Sequence, residues 1–209
     1  MAVIRGLEAG RIRRNLERAR ERAGPDVEIL AATKYVSADE LGALAKAGVT
    51  LVGENRLQDL QAKRARWADA FTWDFIGNLQ SRKVKGVLPL VRLIHSVASD
   101  SVLAQLERHA SPETEVLVEV NVAGEPGKAG VAPADLGEFI ARCPVRVVGL
   151  MTMPPFSSDP EASRPFFARL AELAGEHGLQ RLSMGTSQDW EVAIDEGATI
   201  VRLGTALYA

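Results

Sequence analysis

The sequence predicts an α/β fold, a single parallel (β/α)8 barrel of the TIM type with one extra helix at the amino end. Three observations lead there. Eight short runs rich in Val, Ile and Leu recur along the 209 residues. Segments with helical spacing separate them. No linker, low-complexity tract or change of texture divides the chain, so residues 1–209 are taken as one domain. Eight strands that each feed a helix, in a chain of this length, have one compact closure: a parallel barrel whose crossovers place the helices outside. A doubly wound open sheet is the alternative.

Taken in order, LEAGRIRRNLERARERAG is the extra helix, its basic run read as a solvated face. VEILAATK is the first strand, and SADELGALAKAG the helix after it, opened by a capping box at Ser37 and Glu40. VTLVGEN, FTWDFIG, LIHSVAS, EVLVEVN, VRVVGLMTM, RLSMGTS and TIVRLGTALY supply the other strands. RLQDLQAKRARWA, SRKVKGVLPLV, DSVLAQLERHA (opening at Asp100), APADLGEFIARC, SRPFFARLAELAGEHG and DWEVAIDEG supply the helices between them. Trp67, Trp73 and Trp190 are assigned to packing.

Composition removes several functions. A net charge of −2 gives no sign of a polyanion binder, so nucleic acid is not expected as a partner. The apolar runs are too short to span a bilayer, and MAVIRGLEAG lacks the apolar centre of a signal peptide. No membrane association is expected, and the expected location is the cytoplasm. Cys143 is the only cysteine and there are three scattered histidines. No disulfide and no metal site are therefore expected, and Cys143 reads as a buried small hydrophobe.

A barrel places its chemistry at the carboxyl ends of its strands. Two of those ends, MGTSQDW and RLGTALY, suit the phosphate site that barrels commonly build after strands seven and eight. Gly185 and Gly204 let backbone approach an anion, and Thr186, Ser187 and Thr205 add hydroxyls. The other role for Ser187 is an ordinary N-cap of QDWEVAIDEG. EILAATKYVS reads as a buried strand ending on Lys34. Desolvating an ammonium costs several kcal/mol, so a lysine there has either a partner or a task. Facing a phosphate site across the mouth, Lys34 suits an aldehyde that carries a phosphate, pyridoxal 5′-phosphate (PLP), held as a Schiff base. The bland alternative is a lysine that snorkels to a surface carboxylate. His95 reads as a hydrogen-bonded structural residue, and Arg82 and Lys83 as solvated cations at a helix start.

The stretches ATKYVS, GENRLQDL, WDFIGNLQSRK, IHSVAS, VNVAGEPGKAG, VVGLMTMPP, LSMGTSQDWEVAI and VRLGTALY together resemble the pyridoxal-phosphate homeostasis proteins of the YggS/PROSC type. That family is itself similar to the barrel domain of bacterial alanine racemase. The resemblance implies that Lys34 is the Schiff-base lysine, that Ser187, Gly204 and Thr205 hold the phosphate, and that Arg202 lies near the pyridine nitrogen. Asn55 and Met151 would help line the pocket. It also implies a monomer that buffers PLP and other B6 vitamers and passes PLP to apo PLP-dependent enzymes. Three departures stand out. Ala32-Thr33 precedes the lysine where Val-Ser is frequent, Asn78 replaces a His or Pro, and the sequence stops at Ala209 where a Gly and a short tail are common.

Independently of the family, a guanidinium beside the ring nitrogen cannot accept its proton, which would leave the ring a poor electron sink. Arg202 equally suits the outward face of its strand, paired with a helix carboxylate. Two functions contend, a non-catalytic PLP carrier and a PLP-dependent amino-acid racemase. Racemisation needs acid and base on opposite faces, and Lys34 serves only one. In alanine racemase the opposite tyrosine comes from a second domain, for which no residues remain here. Tyr35 and Tyr208 are not obviously placed across the ring. The carrier is therefore expected, with no catalytic residue.

Overall fold

All eight apolar runs form strands in the computed structural model, which describes residues 4–209. They are β1 (Glu28–Ala32), β2 (Leu51–Glu54), β3 (Thr72–Phe75), β4 (Leu93–Val97), β5 (Glu115–Glu119), β6 (Arg146–Met151), β7 (Arg181–Thr186) and β8 (Ile200–Leu203). Neighbours pair in parallel in chain order, and β8 returns to β1 with Leu30 opposite Arg202, so the barrel is closed and the open-sheet alternative falls. The helices are α1 (Ala9–Ala23), α2 (Leu41–Ala47), α3 (Leu57–Trp67), α4 (Val84–Val87), α5 (Asp100–His109), α6 (Leu136–Ala141), α7 (Arg164–Glu176), α8 (Trp190–Asp195) and α9 (Thr205–Tyr208). Among the described residues no helix is long and apolar enough to cross a membrane.

Three local expectations are corrected. The expected helix at residues 81–91 is only α4 flanked by two 3-10 turns, the second of which contains Pro89, a residue with no N–H to give. The capping box at Ser37 does not form. Helix α2 begins at Leu41, and the Glu40 carboxylate instead accepts the backbone N–H groups of Gly6 and Leu7 at 2.8 and 2.9 Å, tethering the amino-terminal segment. Those two N–H groups hold the Glu40 pKa below its ordinary value. The last apolar run is strand only as far as Leu203, and its final residues turn into α9 after Gly204.

The strand pleat sorts side chains into two cores. Leu30, Leu51, Leu93, Leu117, Met151 and Ile200 fill the barrel. Alternate residues such as Val52, Val116, Val201 and Leu203 pack outward with the helices. Leu117 is fully buried, and truncating such a residue to Ala costs about 2–5 kcal/mol. The amino-terminal rim is closed by charge: Glu28 accepts from Arg92 and Arg181, and Arg92 reaches on to the buried Asp74. The same alternation decides which polar residues face the interior at the opposite rim.

Candidate functional site at the carboxyl rim of the barrel

Lys34 is not the last residue of a buried strand. Strand β1 stops at Ala32, Thr33 is fully buried, and Lys34 is exposed in the turn that follows. Val36 N–H closes that turn on the Thr33 carbonyl at 2.8 Å, and the Lys34 ammonium lies 5.1 Å from the centroid of the Tyr35 ring. The desolvation premise therefore fails for Lys34. The lysine stands at the rim because the chain turns one residue before it.

Thr33 is fixed from several sides. Its N–H donates to Gly53 carbonyl, its hydroxyl to Glu54 Oε1 at 2.6 Å, and its carbonyl accepts Lys63 Nζ at 2.8 Å. Lys63 also pairs with Glu54, both side chains being buried. Asn55, next in the chain, donates its N–H to Glu54 Oε2 at 3.3 Å, while its own Oδ1 is buried without a partner. Gly77 is required beside it, since a Cβ there would come 2.2 Å from the Asn55 carbonyl.

On the other flank of β1, Ser187 meets the β8 end. Its Oγ accepts the N–H groups of Gly204 at 2.9 Å and of Ala206 at 3.1 Å. It does not cap α8. That position belongs to Asp189, whose carboxylate takes Thr186 N–H at 2.7 Å and the Ser163 hydroxyl at 2.9 Å. Gly185, at φ 86°, would drive a Cβ to 2.6 Å from Ala193, which accounts for glycine at this end of β7. Thr205 is exposed beside the cradle. Tyr208, at the end of α9, donates to the Ala32 carbonyl at 3.1 Å. The Lys34 turn and the Ser187–Gly204 cradle are thereby joined through Tyr208.

Arg202 faces the interior, one pleat above Ile200, and the outward pairing with a helix carboxylate is not formed. Its guanidinium donates to Ser183 carbonyl and Ser183 Oγ, both at 2.7 Å, and to the Thr152 carbonyl at 2.9 Å. Burial pulls its pKa down to about 10, opposed by the charges of Glu119 and Asp189. Met151 is buried on the neighbouring inner wall, adjacent in sequence to Thr152. Because Ser183 Oγ accepts from Arg202, its proton is free to go to His95 Nδ1 at 2.8 Å, which leaves His95 Nε2–H to donate to Asp74 at 3.2 Å. A line of hydrogen bonds thus runs from Arg202 through Ser183 and His95 to Asp74 and Arg92.

Burial is the largest influence on both members of the His–Asp pair. It drives the His95 pKa down, so the ring is neutral. For Asp74 it acts upward but is outweighed by hydrogen bonds from His95 and Arg92, so the carboxyl titrates below its ordinary value. A histidine with a depressed folded pKa contributes stability above the ordinary value of about 6.5, lost as pH falls below it, because the unfolded chain takes up the proton that His95 refuses. Stability measured by urea unfolding is expected to fall between neutral pH and mildly acid pH, and His95→Gln should flatten that slope. An unchanged slope would exclude the neutral buried ring.

The structure thus brings Ser187 and Gly204 together, with Arg202 on the same strand end, Thr205 at its edge, Lys34 in the turn after the adjacent β1 and Asn55 just beyond β2. Sequence reasoning missed Thr33, Glu54, Lys63, Asp74, Glu119 and Ser183. Counting every second residue from Leu93, Leu117 and Ile200 would have marked His95, Glu119 and Arg202 as inward polar groups. Nothing local in the sequence marks Lys63 as buried. His95 is hydrogen-bonded as expected. Cys143 is half-buried rather than buried, and burial pushes its thiol pKa up.

The closed parallel barrel, with Ser187 gathering backbone N–H groups at the β8 end and an inward arginine on β8, falls in the class of the alanine racemase barrels. The family model "Alanine racemase, N-terminal domain" matches residues 7–209. A pyridoxal phosphate homeostasis protein of Aquifex aeolicus is 40% identical over 215 residues, covering 95% of this chain and 94% of that protein. The solved structure of PipY from Synechococcus elongatus with PLP bound superposes with a TM-score of 0.83 at 32% identity, covering 95% of this chain and 100% of that one. Alanine racemase of Corynebacterium glutamicum, at 16% identity and a TM-score of 0.75 over 100% of this chain and 63% of its own, shares the fold. The chain belongs to the pyridoxal phosphate homeostasis protein family.

Proposed function

We propose that this protein is a non-catalytic carrier and buffer of PLP. One observation carries the proposal: Ser187 Oγ gathers the Gly204 and Ala206 N–H groups into a cradle that Tyr208 ties to the strand preceding Lys34. An amine in the turn after β1 and hydrogen-bond donors after β8, the strand paired with β1, offer the two ends a phosphorylated aldehyde requires. The residues fit the group. The cradle's N–H groups and the Ser187 and Thr205 hydroxyls are donors for a phosphate, and the unpartnered Asn55 Oδ1 is an acceptor near the Lys34 turn. When bound, PLP supplies an aldehyde that Lys34 can hold as a Schiff base, and a ring able to act as an electron sink.

Arg202 supports the non-catalytic side of the proposal. Its side chain has only donors, and much of that capacity is engaged by Ser183 and Thr152, so near a ring nitrogen it would donate and could not accept a proton. The tyrosines support it as well. Tyr208 is buried with its hydroxyl on Ala32, burial pushing its pKa up, and Tyr35 lies against Lys34 itself. Reversible holding of PLP, and its delivery to apo PLP-dependent enzymes by a monomer in the cytoplasm, complete the proposal.

The racemase alternative would have to recruit Glu119. That carboxyl lies on the inner wall of β5, and burial raises its pKa against the pull of Arg202 and Lys128. Incubation with L-alanine in deuterated water separates the two functions. The carrier is expected to produce no D-alanine and no Cα exchange above free PLP. Turnover abolished by Lys34→Ala would establish the racemase.

A further inference from the structure

The buried pair Glu54–Lys63 lies outside the barrel interior, between β2 and α3. Both side chains are almost fully withdrawn from water, 0% and 7% exposed. Burying two opposite charges costs several kcal/mol per ion, and a well-packed apolar pair of similar volume often serves stability equally well. Its hydrogen bonds give the pair another role. Lys63 Nζ holds the Thr33 carbonyl at 2.8 Å and Glu54 Oε1 holds the Thr33 hydroxyl at 2.6 Å, while Glu54 Oε2 takes the N–H of Asn55 at 3.3 Å. Every one of these contacts falls on the residue immediately before Lys34 or on the residue that follows Glu54. The Thr33 carbonyl is also the acceptor that closes the Lys34 turn from Val36 N–H. An exposed lysine in a turn would otherwise wander; this turn is pinned at its first residue from outside the barrel.

We propose that Glu54 and Lys63 are positioning residues for the Lys34 amine, holding its turn at the distance from the Ser187–Gly204 cradle that a phosphorylated aldehyde spans. The inference rests on Lys34 being the attachment residue. Joining an amine to an aldehyde forms one C=N bond and releases one water, and its rate depends on how the amine is presented, whereas the affinity of the cradle for phosphate does not.

The test uses the full ligand-free chain as wild type, Lys63→Met and the double variant Glu54→Gln/Lys63→Met, which leaves no lone buried charge and so guards against misfolding. Both variants are expected to retain pyridoxine 5′-phosphate, which carries the phosphate without the aldehyde, as wild type does. Covalent attachment of PLP at Lys34, followed by its visible band and by borohydride reduction with peptide mapping, should slow by roughly ten- to a hundredfold. Without any ligand, the Val36 amide should exchange its hydrogen faster. Wild-type attachment rates in both variants would overturn the inference, and so would loss of pyridoxine 5′-phosphate in step with PLP, since the pair would then support the fold as a whole. A wild-type label on a different lysine would overturn the underlying assignment of Lys34 and this inference with it.

Discussion

Alanine at both Ser187 and Thr205 is expected to weaken PLP by roughly one to three orders of magnitude, because hydrogen bonds to a phosphate are charge-assisted and worth about 1.5–3 kcal/mol each. Ser187 has two parts in this. Its oxygen organises the Gly204 and Ala206 N–H groups in the free protein, and its proton remains available to an anion. Thr205 is exposed beside the cradle and adds a second hydroxyl. The loss should be specific to phosphate. Unphosphorylated pyridoxal should bind the variant and the wild type alike, and the melting temperature should change little because neither side chain lies in the core. Titration of both ligands checks this. Equal losses for pyridoxal and its phosphate would remove the cradle from the site.

The second large effect is the converse. Lys34→Ala is expected to abolish the visible band of bound PLP and leave pyridoxine 5′-phosphate binding intact. Lys34 is exposed, with its ammonium 5.1 Å from the centroid of the Tyr35 ring, so its removal costs the fold little. Equilibrium dialysis with both vitamers reads the two consequences separately. A variant that kept the band would show that another amine holds the aldehyde.

Much of this architecture was legible in the sequence because barrel strands carry a strong local signal: each of the eight runs is apolar through its middle and breaks at small or polar residues. The proximity of Ser187 and Gly204 was legible too, as two Gly-hydroxyl clusters at successive strand ends, although the Thr186 hydroxyl of the first cluster is taken by Asp189. Where the sequence reading failed, a distant partner had decided the structure. Glu40 looks like the closing glutamate of a capping box opened by Ser37, but the N–H groups of Gly6 and Leu7 claim its carboxylate. Ser187 had two roles open to it, and the structure takes the one at the β8 end, leaving Asp189 at the start of α8. Lys34 looks like a buried strand terminus because the apolar run continues to Ala32, and only the hydrogen bonds of Thr33 to Gly53, Glu54 and Lys63 show where the chain turns. Arg202 was undecided from the sequence and is decided by register, since Ile200 faces inward and the pleat puts Arg202 on the same side.

Reduction of the PLP-loaded protein with borohydride, followed by proteolysis and peptide mass mapping, tests the central assignment most directly. A phosphopyridoxyl group on Lys34, absent from Lys34→Ala, is the expected result. The label on any other lysine, or no label on a protein that nonetheless retains PLP, would contradict it.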